Sequence, residues 1–335
     1  MASFAALIDR VRTGQTPVEL VYASHSAWPH PRERGSPGDV LRVAVLDSSF
    51  NPPSRAHLAL ANVPRPHFSY EDALDDADYD AKLLLLSVRN ADKQLATGDA
   101  AYAQRLEMML LLARDILRVP AAAAACNTVG ASSSQPHDNV AVAIIDEPTF
   151  VGKSTALLSY LRHRLSAHPA SLSAPAPPHL PASSGSEMSA ARAAPNASVM
   201  REDASKPPRP QLTFLVGTDT LERLFAPRYY ASPEAMRAAL RRFLSAHPDG
   251  DDARVVCARR TLSSSGDHEH EAKLRAAIAE FVVEDRVQLV DIQEELRIIS
   301  STSIRRGAQD GDDSWKAMVT PSVAEYIVEH NLYHV

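Results

Sequence analysis

Three short stretches carry side chains suited to holding a nucleotide's phosphates and sugar. The first, DSSFNPP at Asp47 to Pro53, leaves an apolar run and continues as SRAHLALA. Small residues at Ser48 and Ser49 let a ligand approach the backbone, and the prolines stiffen the exit. Ser54 is placed to cap a helix whose first turn contains His57, where unpaired N–H groups and the helix dipole favour an anion. A histidine donor added there suits a phosphate; the alternative is that His57 caps or packs locally. The second stretch, GTDTLERLF, opens on Gly217, which permits close backbone approach or a positive φ. Asp219 can accept from a ribose hydroxyl or an amide, and the alternative is a plain helix start capped by Thr218 or Asp219. The third, LRIISSTSIRRG, sets Ser300, Ser301, Thr302 and Ser303 ahead of Arg305 and Arg306. Hydroxyls, free N–H groups and a guanidinium that can grip two phosphate oxygens fit a nucleotide's phosphates; an ordinary serine-capped helix with a solvated arginine fits the same letters. GKST at Gly152 to Thr155 is rejected as a glycine-rich phosphate loop, because the glycine that motif needs five residues earlier is Glu147. Lys153 and Thr155 can still line a site from the start of that helix.

The elements that must position these loops alternate. Short apolar runs read as fully buried strands at Leu41 to Leu46, Lys82 to Val88, Val140 to Asp146, Gln211 to Val216, Ala253 to Ala258 and Arg286 to Val290. Between them lie helical stretches, the clearest being YAQRLEMMLLLARDIL, with Leu106, Met109, Leu110, Ala113, Ile116 and Leu117 on one face. Strands alternating with helices predict an α/β fold, a doubly wound parallel sheet with helices on both faces. Ligands of such sheets bind beyond the carboxyl ends of the strands, where all three loops fall. From about Ser166 to Pro210 the chain is dominated by Ala, Pro and Ser with no aromatic residue, and this is read as a disordered insertion. Residues 1–39 read as an N-terminal extension, with Phe4, Leu7, Ile8 and Val11 forming a short docked helix; 40–335 form the main domain.

Composition narrows the function. Of 335 residues 45% are hydrophobic and 23% charged, and the net charge of −6 argues against nucleic acid as a partner. Cys126 and Cys257 are too few for a disulfide framework and lack metal-ligand spacing, so no metal site is read and a reducing compartment, cytoplasmic or nuclear, is expected. Asp9 and Arg10 interrupt any secretory signal, and no apolar run is long enough to span a membrane. A homo-oligomer is left open.

SSFNPPSRAH followed far downstream by ISSTSIR resembles the nucleotidyltransferase superfamily with an HxGH-type motif and an ISSTxxR motif, in particular the nicotinamide mononucleotide adenylyltransferases. RLEM at Arg105 to Met108, GTDTLERL, and VTPSVAEYIVEHNLY at Val319 to Tyr333 are similar to further segments of that family. The resemblance covers residues 40–335 apart from the insertion. It implies a Rossmann-like fold and transfer of AMP from ATP to a mononucleotide, with release of pyrophosphate and help from Mg²⁺. It further implies that Ser48, Ser49, Phe50 and Ser54 contact ATP, and that His57 steadies the phosphates. Gly217 and Asp219 would hold the nucleotide, while Ser300, Ser301, Thr302 and Arg305 would bind the β- and γ-phosphates. The family's glycines are replaced by Ser48 and Ala56, and its tryptophans after the third strand are missing. Phe150 then stands in to stack on the acceptor base, with Thr155 matching a family threonine and Lys93 in a basic acceptor segment. Two other functions fit the same sequence: an ATP site serving another acceptor or water, and a nucleotide-binding scaffold whose insertion recruits partners.

Overall fold

The computed structural model describes residues 2–31, 39–68, 78–89, 98–118, 139–167, 207–259, parts of 272–282, and 285–333. The proposed insertion falls largely on 168–206, outside the described residues, as do Lys93 and Cys126. At its edges the flanking helix continues through Ala167 and the next strand begins at Arg209.

Seven strands form one sheet: β1 (Val18–Ala23), β2 (Val40–Asp47), β3 (Ala81–Ser87), β4 (Val140–Ile145), β5 (Arg209–Gly217), β6 (Arg254–Ala258) and β7 (Val287–Val290). Their order is β1-β4-β3-β2-β5-β6-β7, with every pair parallel except β1 against β4. The six expected strands are all present. The chain winds outward from β2 through β3 to β4, then returns to the other side of β2 with β5. The carboxyl ends of β2 and β5 therefore flank the point where the winding reverses, and crevices open there. This is a doubly wound, Rossmann-like sheet.

Both faces are covered, which is why the strands are apolar without alternation. Leu41, Val43 and Val45 face one core with Leu157, Leu161 and Leu165 of α4 (Phe150–Ala167) and Leu240, Phe243 and Leu244 of α6 (Pro233–Leu244). Ala44 and Leu46 face the other, with Ile8 and Val11 of α1 (Phe4–Arg12), Leu60 of α2 (Arg55–Ala61) and Leu106, Met109 and Leu112 of α3 (Tyr102–Arg118). Further helices among the described residues include α5 (Thr218–Leu224), α7 (Glu294–Arg297), α8 (Ser301–Asp310) and α9 (Pro321–Glu329).

Two features differ from the pattern read in the sequence. Residues 1–39, set apart as an extension, contribute β1, hydrogen-bonded along the edge of the sheet beside β4. Only Val18 of that strand is buried, so it lacks the continuous apolar run that marks its neighbours. The burial of α3 is also wider than one stripe. Met108 turns away from the sheet into a third core with Ile304 and Ala308 of α8, Trp315, and Val323 and Ile327 of α9. That core seats α8, whose C-terminus is closed by Gly311 at φ 71, a left-handed cap that favours glycine.

Phe214 on β5 is fully buried, with its ring 5.5 Å from those of both Phe150 and Phe243. Phe214→Ala is therefore expected to cost about 3–5 kcal/mol in a denaturant melt and to loosen the start of α4. A shift of only a few tenths of a kcal/mol would contradict this packing.

Candidate active site

A cavity of about 600 Å³ lies beyond the carboxyl ends of β2, β3, β5 and β6, lined by parts of all three loops. In the first loop, Ser54 caps α2 and shares a reciprocal capping box with His57. The Ser54 hydroxyl oxygen accepts from the His57 amide at 3.4 Å, and the Ser54 amide donates to His57 Nδ1 at 3.0 Å. A backbone N–H can only donate, so Nδ1 is an acceptor and the ring proton is assigned to Nε2. Nε2 in turn reaches Ser48 Oγ at 2.9 Å. Burial pushes the pKa of His57 down to about 4, so at neutral pH it is an uncharged imidazole with an N–H donor at the cavity wall. The two readings of His57 are thus not exclusive: Nδ1 closes the cap, and Nε2–H, which donates to Ser48 Oγ at the cavity wall, can serve a ligand only by exchanging that partner.

Phe50, expected in contact with ATP, turns its side chain into the core behind the loop. It has no exposed surface, adopts φ 46, and packs its ring 5.4 Å from that of His57. Ser48, Ser49, Ser54 and His57 do line the cavity.

The third loop meets the first directly. Ser300 caps α8 through a reciprocal box with Ser303, so its hydroxyl is engaged locally, 2.7 Å from Ser303 Oγ. Ser301 Oγ donates to the Pro52 carbonyl at 2.8 Å, and Arg305 donates to the Asn51 carbonyl at 2.6 Å across 254 residues of sequence. Arg305 is thus latched to the first loop while remaining, with Thr302, in the cavity wall.

Behind this latch stands a group that spacing did not single out. Asp99 lies 3.6 Å from Arg305 and 3.5 Å from Arg105, and accepts from the Asn51 side chain at 2.6 Å. Arg105 is buried, which lowers its pKa against the opposing effect of Asp99. It also donates to the Ala100 carbonyl at 2.9 Å. One available signal was an arginine one position before Leu106 at the start of an otherwise apolar helix face.

In the second loop Gly217 has φ −89, so the left-handed conformation is not used. A Cβ at Gly217 would meet nothing within 4 Å; what the glycine provides is open space at the cavity wall. Asp219 follows in the first turn of α5 and lines the same cavity.

Phe150, expected to stack on an acceptor base, lines the cavity, as do Arg89, Tyr102, Thr149 and Lys153. Thr155 does not: it is exposed, and its hydroxyl donates to the Val151 carbonyl of its own helix at 3.1 Å. It sits two residues beyond Lys153, about 200° around the helix and hence on the outer side. The GKST stretch forms no phosphate cradle, because the Glu147 carboxyl group folds over Gly152 and accepts from the Thr149 hydroxyl at 2.9 Å.

Among the described residues seven basic side chains line the cavity, Arg89, Arg105, Lys153, Arg223, Arg259, Arg297 and Arg305, against Asp47, Asp99 and Asp219. In a chain of net charge −6 this is a concentrated positive field, of the kind that draws in a polyanion. Part of that charge is offset: Arg259 and Arg297 both pair with Asp291, at 3.5 and 2.9 Å, and Arg89 pairs with Asp146 at 3.3 Å. Among the described residues no group of three or more His, Cys, Asp or Glu could hold a metal ion, and no helix is long and apolar enough to cross a membrane.

Fold and site together define a Rossmann-like α/β protein with a cation-lined cavity at the reversal of its sheet. No family model and no curated protein matches the chain. Among solved structures it is similar to the Plasmodium falciparum nicotinic acid mononucleotide adenylyltransferase complexed with APC. The identity is 11% and the TM-score 0.41, over 87% of this chain and 96% of that one.

Proposed function

We propose that the protein transfers the adenylyl group of ATP to nicotinamide mononucleotide, forming NAD and pyrophosphate. The observation that carries this reading is the junction of the SSFNPPSRAH and ISSTSIR loops. They are joined by Ser301 to Pro52 and Arg305 to Asn51, beside the neutral donor of His57. In the reaction a phosphate oxygen of the mononucleotide attacks the α-phosphorus, and the bond from that phosphorus to the oxygen bridging the β-phosphate breaks. Pyrophosphate leaves with the electron pair.

The attacking group is already an anion and needs no base, so the barrier lies in aligning two repelling anions and stabilising the leaving charge. His57 Nε2–H suits the second task, since a neutral donor aimed at developing charge needs no proton transfer. Arg305 and Thr302 hold the β- and γ-phosphates beside Ser301, whose hydroxyl fixes the start of α8 on the Pro52 carbonyl, while Gly217 and Asp219 receive the sugar. Mg²⁺ enters with ATP as part of the substrate, held by phosphate oxygens and water, which neutralises charge that the cavity's cations do not reach.

The test is to incubate the purified protein with ATP, Mg²⁺ and a panel of mononucleotides, measuring pyrophosphate and dinucleotide. Stoichiometric NAD and pyrophosphate with nicotinamide mononucleotide is the expected result. Phosphate release without any dinucleotide would replace this reading with ATP hydrolysis, and ATP binding without turnover would replace it with a scaffold.

A further inference from the structure

Asp47 and Lys153 form an ion pair at 2.6 Å in the cavity wall, with both side chains only 7% exposed. Such a pair is a poor device for stability: two charges leave water, and apolar residues of similar size would generally pack there at no loss. Its position points to another use. Asp47 ends β2 and immediately precedes Ser48, whose hydroxyl meets His57 Nε2 at 2.9 Å. Lys153 reaches it from the first turn of α4, its ammonium 5.0 Å from the centre of the Phe150 ring. The ammonium thus stands between the aromatic side chain on the acceptor side and the loop that holds His57. Arg305, by contrast, belongs to the third loop.

An unbalanced carboxylate at Asp47 would repel any phosphate brought to His57. Lys153 cancels that charge, and with one of its three N–H groups on Asp47 it keeps donors for an anion. A compact ammonium with rotatable donors suits a terminal phosphate, whereas a bridged polyphosphate suits the arginine fork.

We propose that Lys153 binds the phosphate of the mononucleotide acceptor, its ammonium steered by Asp47 towards the attacking oxygen. This substrate-binding role rests on the transfer reading above. It makes the Asp47–Lys153 pair the acceptor's counterpart of the Arg305 latch.

The experiment uses the full-length protein and its Lys153→Met, Lys153→Arg and Asp47→Asn/Lys153→Met variants. Calorimetric titration with nicotinamide mononucleotide and, separately, with ATP is combined with initial rates. Loss of one charged hydrogen bond predicts that Lys153→Met weakens acceptor binding and raises its KM by at least about 10-fold. In the double variant the KM for ATP should stay within about 3-fold, because no bare Asp47 charge is then left beside the loop that carries Ser48 and His57. Lys153→Arg should recover part of the acceptor affinity. The double variant, which leaves no unpaired charge, should fold and keep the acceptor defect; it carries the measurement if the single variant does not fold.

Unchanged acceptor affinity in either folded methionine variant would overturn the proposal, as would an equal loss of ATP affinity in the double variant. Recovery of acceptor binding in the double variant would also overturn it, since the defect would then come from the bare Asp47 charge. The titrations separate this inference from the reaction itself. If the wild-type protein binds the mononucleotide through Lys153 but forms no dinucleotide, the transfer reading alone falls; if it binds no mononucleotide, both fall.

Discussion

In the His57→Ala variant, dinucleotide formation is expected to drop by at least about 10²-fold in kcat, the scale of removing a preorganised donor from a developing anion. The same substitution opens the capping box with Ser54, a stability loss of about 1 kcal/mol that a thermal melt reads separately. His57→Gln, which can present an amide N–H but cannot reproduce the ring's two-sided contacts, is expected to fall between the two. The pH dependence discriminates further. With its pKa lowered from 6.5 to about 4 by burial, His57 stays neutral through the physiological range. No limb in the rate profile between about pH 6 and 8 should therefore belong to it. In stability the sign follows from the unfolded chain, which takes up a proton near 6.5 while the folded chain resists until about 4. The contribution is complete above the unfolded value and is lost as pH falls towards the folded one, and His57→Ala should flatten that acid limb. Unchanged turnover in folded His57→Ala, or a rate limb near pH 6.5 that disappears in it, would remove the neutral-donor role.

The second large effect is expected at Arg305. Arg305→Ala should lower kcat/KM for ATP by about 10²-fold or more, and weaken binding of inorganic pyrophosphate in parallel, because a charge-assisted fork to two phosphate oxygens is lost. Arg305→Lys should rescue little of this, since a compact ammonium lacks the planar fork that spans the Asn51 carbonyl and two phosphate oxygens at once. Arg306→Ala, one residue on and exposed, is the control for general loss of positive charge and should leave both quantities near wild type. Equal ATP and pyrophosphate affinity in folded Arg305→Ala would place the β- and γ-phosphates elsewhere in the cavity. Because the latch also ties the third loop to the first, a drop in melting temperature is expected alongside and does not by itself account for a selective loss of ATP.

Much of the architecture was legible in the amino-acid order because it follows from local rules. Strands buried on both faces must be apolar throughout, and six such runs separated by helical stretches leave little choice but a parallel, doubly wound sheet. The helix starts were equally readable. Ser54 is read as the cap of the helix that carries His57, and the serines from 300 on as a helix start, and both starts form; the reciprocal contacts of His57 and Ser303 are added by the structure. Hence residue order alone places the loops carrying Ser48, Gly217 and Arg305 at one end of the sheet.

What remained hidden depends on groups that meet only after folding. β1 is half exposed and joins by antiparallel edge pairing, so its apolar pattern is weak. Phe50 turns inward because a positive φ in a tight loop reverses its direction, and Thr155 turns outward because two helical residues past Lys153 lie on the far side. Asp99 gathers Asn51, Arg105 and Arg305, three residues from three elements, and Asp47 meets Lys153 across 106 positions. Pairing energy between charges depends on distance and burial, neither of which is written in local order. Residue periodicity settles which face of an element is covered; only the packing of the elements decides which charges face one another across the cavity.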